Sequence, residues 1–137
     1  MSDRISSLRI ERVDIIPNNL EPGVLYVSGR FATAIHLCPC GCGNEVVTPL
    51  GLGEWYLESL DGIPSLTPSV GNWELPCESH YWIQKGRIVW SSKMTRRQID
   101  RMRKFQNTAA ERLYAPKTTR ARKLVESIIA IWNHFIR

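Results

Sequence analysis

Four cysteines and two histidines fall into two short clusters, His36-Leu-Cys38-Pro-Cys40-Gly-Cys42-Gly43 and Cys77-Glu-Ser-His80. Thiolates bind divalent zinc in tetrahedral sets, and a structural site usually draws its four ligands from two separate turns. One turn here offers three thiols and the other offers Cys77 and His80. Pro39 stiffens the first turn, while Gly41 and Gly43 let the backbone adopt positive φ and wrap closely around an ion. The residue types predict metal binding, with zinc as the ion. The first candidate ligand set is Cys38, Cys40, Cys42 and Cys77, the softest donors, which leaves His36 and His80 free. A rival set takes two or three of the cysteines plus His80. The plain alternative is that the cysteines are small buried hydrophobes. A Rieske iron–sulfur site is excluded, because it needs a histidine two residues after its first cysteine and position 40 is Cys.

Hydroxyls and imidazoles crowd the same stretches. Ser65, Ser69, Ser79, His36 and His80 lie in or beside expected strands. If Pro64–Val70 and Ser79–Ile83 pair antiparallel through the short connection 71–78, Ser69 comes within reach of His80. A serine beside a histidine is the minimum for an activated hydroxyl nucleophile with a general base. Ser79 adjoins His80 and points to the opposite face of an ideal strand, so only a bulge would let the two cooperate. The plain alternative is that Ser69 and Ser79 only satisfy backbone groups. His134 is expected to serve a helix C-terminus or the surface.

Short β-prone runs broken by Pro and Gly fill the chain up to about Ser91. They predict strands at Leu8–Ile16, Val24–Cys38 with a turn or bulge at Ser28-Gly29, Glu45–Pro49, Glu54–Glu58, Ser65–Val70, Ser79–Gln84 and Arg87–Trp90. Asn18, Asn19, Pro22 and Gly23 supply a further turn. The last two strands form a hairpin closed at Lys85-Gly86. Helix formers then dominate. A first helix runs from Thr95, its N-cap, to Tyr114, with Ile99, Met102, Phe105 and Ala109 on one stripe, and ends at Ala115-Pro116. A second starts near Thr118 or Thr119. Leu124, Ile128, Ile131 and Phe135 make its seam, widened by Val125, Ile129, Trp132 and Ile136, and the expected cover is the protein's own core, with a partner or second copy as the alternative. The expected fold class is α+β: a small, mostly antiparallel β domain with a zinc-clamped loop, followed by two C-terminal helices. The expected domains are a zinc-binding β domain over 1–92 and a basic helical extension over 93–137 packed on it.

The chain has 137 residues, long enough to bury a real core without crosslinks. Five Trp, four Tyr and three Phe argue against disorder. No apolar run is long enough for a membrane span, and the first residues lack a secretory signal, so the expected compartment is the cytoplasm, where thiols stay reduced. The formal net charge of +5 conceals an asymmetry: residues 1–92 carry −4 and residues 93–137 carry +9. Such a tail could meet nucleic acid, anionic lipid or an acidic protein, or be a solvated helical face beside an acidic body. The absence of interleaved aromatic and basic residues argues against a single-strand nucleic-acid binder.

Three separated motifs, Cys38-Pro-Cys-Gly-Cys-Gly43, Leu66-Thr-Pro-Ser-Val70 and Cys77-Glu-Ser-His-Tyr-Trp-Ile83 with Gly86 and Trp90, resemble a small zinc-binding family of bacteria and phages. Its genes often sit in operons for ubiquitination-like pathways. The resemblance covers about Val24 to Trp90. It implies a serine-type peptidase, deubiquitinase-like, that trims or deconjugates a ubiquitin-like protein. Cys38, Cys40, Cys42 and Cys77 would be the metal ligands, and His80 with Ser79 or Ser69 the polar centre. His36 is an alternative base, and Glu54 and Glu78 are candidate orienting acids. The implied partners are the ubiquitin-like protein or its conjugates and E1- and E2-like proteins of the same operon. The substrate tail would add as a strand along an exposed edge, and backbone N–H groups of the metal loop would hold the oxyanion. Two other classes compete. One is a non-catalytic, zinc-stabilised adaptor that binds an acidic partner through its basic helices. The other is a zinc hydrolase with an open coordination position, using His36 or His80 plus two cysteines and water.

Overall fold

The segment Val24–Ser28, apolar up to its last residue, forms β2, with all five residues buried, as a central strand covered on both faces requires. The computed structural model describes residues 3–114 and 127–134. The first sheet has the order β1 (Arg9–Arg12), β2, β3 (Thr33–Leu37), β4 (Glu45–Pro49). The β1–β2 pair is parallel and the others are antiparallel. The second sheet has the order β5 (Tyr56–Leu60), β6 (Ile63–Gly71), β7 (His80–Gln84), β8 (Arg87–Trp90), antiparallel throughout. A nineteen-residue helix, α1 (Arg96–Tyr114), follows, and 127–134 is helical. The expected α+β class, with mostly antiparallel strands and two helices after them, is what the chain adopts.

Both sheets contribute to one apolar cluster. Leu8, Leu25, Val27, Ala34, Cys38 and Val46 meet Leu66, Val70, Tyr81 and Ile83, all buried. β4 shows why alternation matters: Val46 and Thr48 are buried while Glu45, Val47 and Pro49 are exposed. Two-residue turns close the hairpins of the second sheet. Lys85 and Gly86 have φ of 47° and 76°, and Asp61 and Gly62 have 51° and 76°, the positive pair that a type I′ turn demands. Lys85 N–H donates to Ser65 Oγ at 2.9 Å, so Ser65 serves the hairpin.

Several expected boundaries move. The first strand is only four residues, Arg9–Arg12, although Val13 N–H still donates to Val27 O of β2 just past its end. The long segment Val24–Cys38 divides at a turn over 29–32, where Ala32 has φ of 46°. Thr95 caps α1 as expected: its Oγ1 accepts from Gln98 N–H at 3.3 Å, and Gln98 Oε1 accepts from Thr95 N–H at 2.8 Å. On the α1 stripe, Ile99 is buried, but Phe105 is 76% exposed and does not join the core. The seam of the second helix is likewise uncovered where it is described: Ile128, Ile129, Ile131 and Trp132 are all exposed. The helix start at Thr118 or Thr119, Leu124, Val125, Phe135 and Ile136 lie outside the described residues. No helix among the described residues is long and apolar enough to cross a membrane.

Candidate active site and metal centre

The thiols come together although Cys77 is 35 residues from its nearest thiol in sequence. Cys38, Cys40 and Cys42 occupy the turn after β3, and Cys77 sits in the 72–79 connection between β6 and β7. All four Sγ atoms lie within 4.8 Å of one another, and all four are free thiols. The shorter separations are 3.4 Å for Cys38–Cys40 and 3.9 Å for both Cys38–Cys77 and Cys42–Cys77. Thiolates bound at roughly 2.3 Å to a tetrahedral ion stand about 3.8 Å apart, so the cluster has the dimensions of a four-thiolate metal site. Gly41 and Gly43, with φ of 89° and 80°, let the turn curl back on itself.

Electrostatics point the same way. Burial pushes the Cys38 thiol up to about 12, a large penalty on the thiolate that a bound cation would remove. At Cys42 burial also acts upward, but the hydrogen bond from Asn44's backbone, with further bonds from neighbouring side chains, outweighs it and brings the thiol down to about 7. Polar groups surround the sulfurs: Asn44 Nδ2 donates to Cys42 Sγ at 3.3 Å, Asn72 Nδ2 reaches Cys38 Sγ at 3.7 Å, and Ser79 Oγ lies 3.5 Å from Cys38 Sγ. Such outer contacts fix ligands in place. These four cysteines could hold a metal ion.

Neither histidine belongs to the cluster. His36 is fully buried, and its Nε2 lies 2.7 Å from Tyr81 Oη. Burial lowers its pKa to about 4, so it is neutral near pH 7. Burial also holds the Tyr81 phenol well above its ordinary value, and Asn72 Nδ2 donates to Tyr81 Oη at 3.4 Å. His36 thus belongs to a buried chain running through Tyr81 and Asn72 to Cys38.

His80 meets Ser69, its Nε2 lying 3.0 Å from Ser69 Oγ. A local irregularity makes the meeting possible. Leu66 pairs with Ile83, but the next pairings are Val70 with Tyr81 and Gly71 with His80, so residues 67–69 of β6 face Trp82 alone. Pro68, which lacks a ladder donor, sits in this bulge. Past the bulge Ser69 and Gly71 share a face with His80, and the missing side chain at Gly71 leaves its ring free to reach diagonally to Ser69. Trp73 fills the space instead. A Cβ on Gly71 would overlap the Trp73 indole, and that indole meets the His80 ring edge-on with centroids 5.0 Å apart. Ser79 goes the other way, toward Cys38, so the two serines adjoining the centre have separate surroundings.

Ser69 opens on a groove of about 290 Å³ between β4, the 71–75 segment and α1. Gly71, Asn72 and Trp73 flank the serine there, and no residue of the 38–43 metal loop lines this groove. An oxyanion held by that loop is therefore not what the groove presents beside Ser69. His80 borders a second cavity of about 380 Å³ with Cys40, Cys77, Glu78 and Ser79. Its Nδ1 is buried and has no hydrogen-bond partner among the described residues; neither Glu54 nor Glu78 reaches it. In the sequence Gly71, Asn72 and Trp73 are only part of the short connection between two strands, and the one signal they carry is a glycine two residues before a tryptophan.

A family model described as bacterial ubiquitination-like system serine protease (BubE) matches residues 12–91. No curated protein and no solved structure matches the chain.

Proposed function

Because the chain belongs to this family of serine proteases of bacterial ubiquitination-like systems, whose model covers more than half of its length, we propose that it processes or deconjugates a ubiquitin-like protein with Ser69 as nucleophile and His80 as general base. The observation that carries this reading is the 3.0 Å contact between Ser69 Oγ and His80 Nε2 at the wall of an open groove. Ser69 O–H donates to His80 Nε2. As Oγ attacks the carbonyl carbon at the end of the substrate's tail, the proton passes to His80, which then delivers it to the leaving amine. Water, deprotonated by the same imidazole, hydrolyses the acyl-serine ester and restores the hydroxyl. Ser79 instead orients Cys38, and His36, neutral and held by Tyr81, braces the core.

Zinc is the proposed ion for Cys38, Cys40, Cys42 and Cys77, since four thiolates suit it and leave no open position. When bound it supplies structural cross-linking, tying the turn after β3 to the segment that presents His80. The division into a body over 1–92 and a basic extension over 93–137 belongs to the same proposal. The basic extension contributes Arg103, ion-paired with Glu74, to the groove's rim.

The test is incubation with a precursor or conjugate of the ubiquitin-like protein, read by mass spectrometry. We expect scission after the last residue of its tail. Gly71→Ala, assayed beside the parent protein, should lower kcat by about 10–100-fold, because the new methyl displaces Trp73 from His80 and spoils the alignment. No scission by the metal-loaded parent protein, or a Gly71→Ala variant as fast as the parent, would count against this site.

A further inference from the structure

Two sheets of four strands have four edges, and three are occupied or remote from Ser69. The segment before β1 covers β8, with Leu8 N–H donating to Gly86 O and Ile88 N–H to Ser6 O. β1 donates a bond on its outer side, from Ile10 N–H to Gly62 O. The β5 side opens on a cavity lined by Tyr56, Leu60, Ser65 and Lys85, without Ser69.

β4 differs. Cys38 N–H donates to Asn44 O and Leu50 N–H to Ala32 O at the two ends of the β3–β4 ladder. Antiparallel bonding alternates, so Val46 and Thr48 continue that series and bond β3. The N–H and C=O groups of Glu45 and Val47 therefore point away from the sheet. Both residues line the same groove as Ser69, whose far wall is made by Met102, Arg103 and Gln106 of α1. Trp55 N–H takes the Pro49 carbonyl at one end of this edge; among the described residues no backbone bond is made to the outward groups of Glu45 and Val47, which face the groove that holds Ser69.

We infer that the edge of β4 at Glu45 and Val47 binds the extended tail of the ubiquitin-like substrate as an added strand and delivers its end to Ser69. The inference rests on Ser69 being the reacting group. Extended main chain is the ligand whose donors and acceptors match an open edge, and a flexible tail can enter between the edge and α1 where a folded surface cannot. Recognition through main chain also frees the tail from a demand for particular side chains along the edge.

The test uses a fluorescein-labelled tail peptide and the full chain carrying Ser69→Ala, so that binding is read without turnover. Val47→Pro removes one outward N–H while leaving the ladder to β3 intact, and proline is tolerated on an edge. It should weaken peptide binding about 5–10-fold relative to Val47→Thr, which keeps the N–H, the loss expected for one main-chain hydrogen bond. A series of tail peptides N-methylated at successive positions, bound to the protein without edge substitutions, gives an answer that does not depend on the folding of Val47→Pro. Strand addition predicts alternation, with every second methyl weakening binding. Uniform tolerance or uniform loss along the series, or failure of the peptide to bind, overturns the inference. Alternation accompanied by cleavage that survives Ser69→Ala would leave the edge as the docking site and reject the nucleophile.

Discussion

Ser69→Ala is expected to abolish cleavage of the ubiquitin-like tail, with kcat falling by about 10⁴-fold or more and little change in thermal stability. The serine is only half-buried and its hydroxyl bonds His80 rather than a backbone group, so its removal leaves no buried donor stranded. His80→Ala should cost a similar factor, and the double variant should be no slower than the worse single one, because a nucleophile without its base and a base without its nucleophile are equally idle. Ser79→Ala provides the contrast. Its hydroxyl meets Cys38, so the variant should keep most of the activity and instead weaken metal retention. Retention of near-parental rate by Ser69→Ala, with loss in Ser79→Ala, would reverse the assignment.

Metal removal should have the other large effect. Chelation, or Cys77→Ser, is expected to abolish cooperative unfolding of the second sheet's 72–80 segment and to lower Tm by more than 10 °C, roughly the scale of losing several kcal/mol from a small domain. The reason is topological. Cys77 is the one thiol outside the 38–43 turn, and it lies three residues from His80. Between these lies Glu78, with φ of 46°, whose N–H bonds Leu75 O in a tight turn. With the cross-link cut, burial of Cys38 and the polar contacts of Asn72 remain, but the turn that presents His80 loses its anchor. Elemental analysis should find one equivalent of zinc per chain, and readdition should restore both Tm and cleavage. Unchanged unfolding and cleavage after complete metal stripping would refute a structural ion.

Much of this was legible in residue types and spacing. Cys38-Pro-Cys-Gly-Cys and the distant Cys77 announce a thiol cluster because three soft donors on one turn have little packing use. Gly86 after Lys85, between two β-prone runs, announces a hairpin because glycine takes positive φ freely, and β4 and β8 begin and end where alternation does. Thr95 with Gln98 three residues on is a capping pair readable by eye. Asp61-Gly62 carries the same signal as Lys85-Gly86, and it sets the β5–β6 hairpin beyond the strand ends expected from composition. Other features depend on tertiary register. The antiparallel pairing of β6 with β7 could be expected, but the bulge over 67–69, which turns Ser69 and His80 to one face, arises from pairing choices that local sequence does not encode. The stacking of Trp73 over Gly71 and the diversion of Ser79 to Cys38 have the same origin. The exposed positions of Phe105 and Trp132 show the converse limit: an apolar stripe states what a helix needs to cover, while its cover depends on what else is present.

The most direct measurement is covalent trapping of the metal-loaded protein with a fluorophosphonate, followed by peptide mass spectrometry. A single stable adduct is expected on Ser69, formed slowly or not at all in His80→Ala and blocked by saturating tail peptide. An adduct on Ser79 or Ser65, or none on a preparation that cleaves its substrate, would contradict it.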